Sequence, residues 1–164
     1  MMDKEIIELS ERLGKVLKQK GLTIATAESC TGGGIAQAIT EIAGSSAWFD
    51  RGFVTYSNQA KVDMLQVKQS TLEQYGAVSE QVAKQMVAGA LFNSHADLAV
   101  SVTGIAGPNG GTESKPVGTV YIAWGVAQLL DYRHYNFLGS RESVRQQTVL
   151  AALSNCLKVC QKEP

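Results

Sequence analysis

The chemistry in this chain starts with a serine and a thiol side by side, in Ala27-Glu28-Ser29-Cys30-Thr31-Gly32-Gly33-Gly34. Leu22 to Ala27, before it, reads as a buried strand, and Ile35 to Ile42, after it, carries apolar residues at helical spacing. The pair therefore sits at a strand-to-helix turn, with glycines opening the helix. The first N–H groups of a helix have no internal partner and favour negative charge. Such a turn holds a phosphate or stabilises an oxyanion beside a nucleophile. The plainer reading is a tight turn with Thr31 as helix N-cap.

Ser29 needs a base before it can attack a carbonyl carbon. The only histidines, His95 and His134, are poorly placed for a Ser-His-Asp arrangement, and His95 reads as a residue at a helix C-terminus. Lysine is the other candidate. Lys115 lies in a long loop, whereas Lys61 follows Tyr56 closely at a second strand-to-helix junction. A lysine acts as a base near neutral pH only if its pKa falls from about 10.4 to roughly 7–8. That takes about 3.5–4.5 kcal/mol of differential destabilisation of the ammonium, from burial or a neighbouring cation. Ser-x-x-Lys spacing is absent, because residue 32 is glycine.

The elements that must position these groups can be read in order. An amphipathic helix over 3–20 ends at Gly21. Strands are expected at 22–27, 48–56 and 97–103, and helices after an N-cap at Ser57 or Asn58 (a short one carrying Lys61, Met64 and Leu65), at 69–75 and from Ser79 to about 94. Asp97 to Thr103 is apolar enough for a central strand buried on both faces. It runs into the glycine- and proline-rich loop 104–116, which closes with neither the Gly-Lys-Ser/Thr of a phosphate loop nor the helix of a dinucleotide fingerprint. Residues 117–124 and 131–137 read as two strands joined by a short link at 126–130, a hairpin. A last helix starts near Gly139, with Arg141 and Arg145 on one face of its first turns. Arginines there oppose the helix dipole and point to an anion. Cys156 and Cys160 are one helical turn apart and read as packing. The alternation of helices and strands predicts a single α/β domain over 1–164, a three-layer α/β/α sandwich with a mixed, mostly parallel sheet. Ligands of such sheets bind beyond the strands' carboxyl ends, where the turns after Ala27, Tyr56 and Thr103 gather.

Composition excludes several classes. Net charge is zero, against a protein that grips nucleic acid by neutralising phosphates. No apolar run approaches the roughly 18 residues of a membrane span, and the charged start, Met1-Met2-Asp3-Lys4-Glu5, lacks the apolar core of a signal peptide. Three cysteines without C-x-x-C spacing indicate neither a disulfide framework nor a zinc site, so the expectation is a cytoplasmic protein with reduced thiols and no metal.

Four motifs now stand in order: Ala27-Glu28-Ser29-Cys30-Thr31-Gly32-Gly33; Gly52-Phe53-Val54-Thr55-Tyr56-Ser57-Asn58-Gln59-Ala60-Lys61; Gly76-Ala77-Val78-Ser79-Glu80; and Thr103-Gly104-Ile105-Ala106-Gly107-Pro108 with Lys115-Pro116-Val117-Gly118-Thr119-Val120. In these the chain resembles, over essentially its whole length, the C-terminal domain of the competence/damage-inducible protein CinA, a family whose stand-alone members are nicotinamide-nucleotide amidases. The separate N-terminal domain of longer members is not expected, nor are activities tied to it.

The resemblance implies hydrolysis of the carboxamide of nicotinamide mononucleotide to nicotinate mononucleotide and ammonia, without metal or cofactor, in NAD salvage. Ser29 would be the nucleophile and Lys61 the general base, with Tyr56 and Thr103 orienting groups or relaying protons. The oxyanion would be held by the backbone of Cys30, Thr31, Gly32 and Gly33 or by that of Gly104, Ala106 and Gly107. Ser45, Ser46, Arg141 and Arg145 are candidates for the substrate phosphate by their chemistry alone. The substrate's pyridinium, itself a cation, would help keep Lys61 neutral. A homodimer is expected, with the first helix as a contact surface. The alternative is a non-catalytic module that binds a nucleotide phosphate; a Cys30 enzyme is a further rival.

Overall fold

The structure, a computed structural model, describes residues 2–126 and 129–162. Helix α1 (Lys4–Lys20) starts at Asp3, whose carboxylate accepts from the Glu5 and Ile6 amides, and ends at Gly21 in the left-handed conformation. Strand β1 (Ile24–Glu28) is buried at every position and leads to helix α2 (Gly34–Thr40). A single 3-10 turn at Ser45–Ala47 precedes strand β2 (Phe49–Val54). Helices α3 (Asn58–Leu65), α4 (Gln69–Tyr75) and α5 (Glu80–Phe92) follow, then strand β3 (Leu98–Gly104). Strands β4 (Thr119–Val126) and β5 (Leu129–Asn136) precede helix α6 (Arg141–Lys162).

The sheet order is β2-β1-β3-β4-β5. β1 pairs in parallel with β2 and β3, while β4 is antiparallel to both β3 and β5. Four strands thus run one way and β4 alone opposes them. The antiparallel pairing of β4 with β5 is the expected hairpin, although residues 127 and 128 of its link lie outside the described residues. β5 is an edge strand.

Alternation along the strands divides the core in two. Ile24, Val100, Val102 and Ile122 face α1, α2 and α6. Ala27, Ala99 and Ala123 face α5 and the helices beside it. Each cluster removes apolar surface from water, and together they make the expected three-layer α/β/α arrangement. The apolar stripe of α1, with Ile6, Leu13 and Leu17, is spent on this core. Cys156 and Cys160 pack there as well.

Some details differ from the sequence reading. Helix α5 stops at Phe92, because the Asn93 side chain donates to Gly89 O and Met64 O. His95 therefore lies beyond the helix, its backbone N–H donating to Asp50 Oδ2. On α6, Val149, Leu153 and Leu157 are buried, while Ala151 and Val159 are only half-buried.

Candidate active site

The three parallel strands end at one rim. Ser29 follows β1, Thr55 and Tyr56 follow β2, and Thr103 lies at the end of β3. The register of β4 and β5 brings loop 105–118 and the start of α6 to the same rim, since Gly104 pairs with Val120 and Thr119 with Asn136.

The backbone of Ser29 is tied to the neighbouring strand by Ser29 N–H donating to Val102 O. The turn behind it closes by Gly32 N–H donating to Ser29 O. Thr31 is not the N-cap of α2. That position belongs to Gly33, at φ 104°, a conformation that costs glycine little and other residues much. The cap itself comes from Glu28, in the preceding strand. Its fully buried carboxylate accepts from the Ile35 N–H at 2.8 Å, from the Ala36 N–H at 3.0 Å and from the Thr31 hydroxyl. The helix terminus that looked open to a ligand is thus occupied by the chain's own carboxylate. The sequence reading passed over Glu28; its signal was a charged residue inside an otherwise apolar strand.

Lys61 arrives on α3, capped by the Ser57 hydroxyl accepting from Ala60 N–H. α3 is pressed onto α5 at Gly89, where a Cβ would lie 2.0 Å from Leu65 O. That close approach puts Lys61, 1% exposed, beneath the rim. Its Nζ is 2.8 Å from Ser29 Oγ, 2.8 Å from Thr55 O and 3.3 Å from Tyr56 O. Burial lowers its pKa from 10.5 to about 8, because the ammonium loses water that two carbonyls and a hydroxyl only partly replace. The rival groups are not so placed. Cys30 is buried and its thiol is pushed up to about 12, so it keeps its proton at neutral pH. Lys115 donates instead to Tyr75 O, at 2.9 Å.

A cavity of about 320 Å³ opens over the pair. Besides Ser29 and Lys61, its walls include Cys30, Tyr56, Thr103, Gly104, Ala106, Gly107 and Arg141, which are among the candidates named from the sequence. Asn58 and Asn109 line it too, and the sequence reading did not single them out. The Thr103 hydroxyl donates to Ala77 O at 2.9 Å, and the Tyr56 hydroxyl accepts from Arg141 Nη2 at 3.2 Å. Thr31, Gly32, Gly33 and Arg145 are not on this wall. Arg145 lies behind the turn, donating from Nε to Cys30 O and from Nη2 to Thr31 O. A larger cavity of about 420 Å³ there, between α1, α2 and α6, reaches neither Ser29 nor Lys61. Ser45 and Ser46 precede β2 and so sit at the opposite rim, where Ile24 pairs with Phe49. Among the described residues, no group of three or more His, Cys, Asp and Glu side chains is arranged to hold a metal ion, and no helix is long and apolar enough to cross a membrane.

The fold and the rim define an α/β domain with a serine and a buried lysine joined at the carboxyl ends of parallel strands. The chain belongs to the CinA C-terminal domain family, whose model it matches over residues 6–160. It is 55% identical over 154 residues to the nicotinamide-nucleotide amidohydrolase PncC of Escherichia coli K12, covering 93% of each chain. It is 51% identical over 154 residues to the protein of the same name from Pseudomonas putida, covering 94% of this chain and 96% of that one. The crystal structure of the competence/damage inducible protein CihA from Agrobacterium tumefaciens superposes with a TM-score of 0.95 at 48% identity, over 99% of both chains.

Proposed function

We propose that this protein is a nicotinamide-nucleotide amidohydrolase that converts nicotinamide mononucleotide to nicotinate mononucleotide and ammonia, with Ser29 as nucleophile and Lys61 as its base. The names of the similar full-length proteins support the reaction. The observation that carries the mechanism is the buried Lys61 Nζ at 2.8 Å from Ser29 Oγ.

The contacts of Lys61 give that proton transfer a direction. A neutral amine has two N–H groups and one lone pair. Carbonyl oxygens only accept, so Thr55 O and Tyr56 O take the two hydrogens. The lone pair is left facing Ser29 Oγ, whose hydroxyl donates to it. Ser29 Oγ attacks the carboxamide carbon as its proton passes to Lys61. The ammonium then has three hydrogens for three acceptors. It returns one to the departing nitrogen, the C–N bond breaks and ammonia leaves. Water attacks the resulting ester, Lys61 takes its proton, and collapse returns that proton to Ser29 Oγ.

The oxyanion donor is the Cys30 N–H. In a trans peptide the N–H points away from the preceding carbonyl, and Ser29 O is directed to Gly32 N–H on the turn's inner side. Tyr56 and Thr103 orient substrate from the cavity wall. The substrate's pyridinium, a second cation, favours neutral Lys61. The enzyme acts in the cytoplasm as a homodimer, through a surface other than the apolar stripe of α1, which the core already uses.

The test is ammonia release from nicotinamide mononucleotide in EDTA by the wild type, Ser29→Ala and Lys61→Ala. Each substitution should lower kcat by about 10⁴- to 10⁶-fold in a folded protein, because members of such a unit fail together. A wild type that binds the nucleotide in calorimetry and releases no ammonia would make the protein a binding module instead.

A further inference from the structure

Nicotinamide mononucleotide carries its phosphate on the ribose, away from the carboxamide, and the site described so far accounts only for the carboxamide end. Resting on the amidase reading of this cavity, we infer that the phosphate is bound by Arg141, supported from below by Tyr56, and that this contact makes the enzyme select a nucleotide over its nucleoside.

The structure removes the other candidates. The α2 terminus is closed, its Ile35 and Ala36 amides held by Glu28 and its Gln37 amide by Gly33 O. Arg145 has its Nε and Nη2 on the carbonyls of Cys30 and Thr31 and lines the cavity behind the turn. Ser45 and Ser46 stand at the far rim. Among the described residues lining the cavity over Ser29, the cationic side chains are Lys61 and Arg141. Lys61 must be neutral to serve as a base, so the charge available to a phosphate is that of Arg141.

Its placement fits the length of a nucleotide. Tyr56 spans the cavity wall: its backbone O meets Lys61 Nζ at 3.3 Å, and its hydroxyl meets Arg141 Nη2 at 3.2 Å. Arg141 thus stands a tyrosine's length from the reacting pair. Arg141 Nη1 donates to Gly107 O at 2.8 Å, so the guanidinium is already oriented against the loop that forms the opposite wall. Asn109 and Gly110 of that loop line the same space. A guanidinium presents five donors in a planar fork, and two engaged hydrogens leave others for phosphate oxygens. Arg141 is itself exposed, so the phosphate end of the ligand reaches the cavity mouth while the carboxamide lies deep.

The experiment compares kcat/KM for nicotinamide mononucleotide and nicotinamide riboside in the wild type, Arg141→Ala and Arg141→Lys. In Arg141→Ala the preference for the nucleotide should fall about 100-fold, the size of a lost charged hydrogen bond pair. Arg141→Lys, a point charge without the fork, should fall between. Equal losses on both substrates would show that Arg141 merely supports the loop, and would overturn the inference. So would an unchanged preference. Calorimetry with both ligands separates this inference from the reading beneath it. If the wild type hydrolyses neither, the amidase reading fails. The phosphate site then stands or falls on whether Arg141→Ala weakens the nucleotide selectively.

Discussion

On its cavity side the turn after β1 meets Lys61 and, further out, Arg141; on its core side it meets Glu28 and Arg145. Both sides hold charged groups, and they treat them in opposite ways. Behind the turn every contact described is a match of charge to partner: a carboxylate on three donors, a guanidinium on two carbonyls. In front, Lys61 is stripped of water without an anion beside it, which makes its ammonium costly and its amine basic at a useful pH. The rear is built for stability, and the front gives some stability up to hold Lys61 in contact with Ser29, the pair proposed above to react.

Stability variants on the two sides should therefore shift in opposite directions. The largest effect belongs to Glu28→Ala, which strands two backbone amides and a hydroxyl in the interior. It should cost about 3–5 kcal/mol in urea denaturation. A full-strength Glu28→Ala fold without activity would break the comparison, by giving the rear a chemical role. Lys61→Met should do the reverse at pH 7, gaining at most about 3 kcal/mol from the lost ammonium, less what Thr55 O and Tyr56 O lose with their donor. The sign follows from the lowered pKa. Between about 8 and 10.5 the unfolded chain holds a proton that the folded one has lost, so wild-type stability rises with pH across that window. Below it the full cost applies, and above it the cost is gone. The gain in Lys61→Met should accordingly vanish by about pH 10.5 in melts taken across the range. The same pKa predicts that kcat/KM rises about tenfold per unit below pH 8 and then levels. The smallest effect is that of Arg145→Ala, about 1–2 kcal/mol, because Thr31 O keeps the Gly34 N–H as a partner. Its activity loss should appear in kcat more than in KM, unlike that of Arg141→Ala.

Much of the front was legible from residue types and order. Ser29, Tyr56 and Thr103 end strands, and strand ends converge. The same rule places Ser45 and Ser46 wrongly for substrate, since they come before β2 and not after it. The depth of Lys61 was not legible. It depends on Gly89, remote in the chain, allowing α3 to settle on α5. Arg141 and Arg145 share a helix face by spacing, yet one looks into the cavity and the other behind the turn. Glu28 was hidden for a different reason: carboxylates that cap helices usually follow the strand, and this one is the strand's last residue.

The buried carboxylate of Glu28 has a consequence for inhibitor design. Many nucleotide-binding sheets leave their first helix terminus for the ligand, so that terminus changes as ligands come and go. Here it is permanently filled from within. A phosphate mimic aimed at α2 meets the Glu28 side chain already seated on its amides, and the Ser29 turn needs no incoming anion to hold its shape. The shape of that turn is for this reason set by the chain itself, a fixed template for covalent ligands aimed at Ser29 if it acts as proposed.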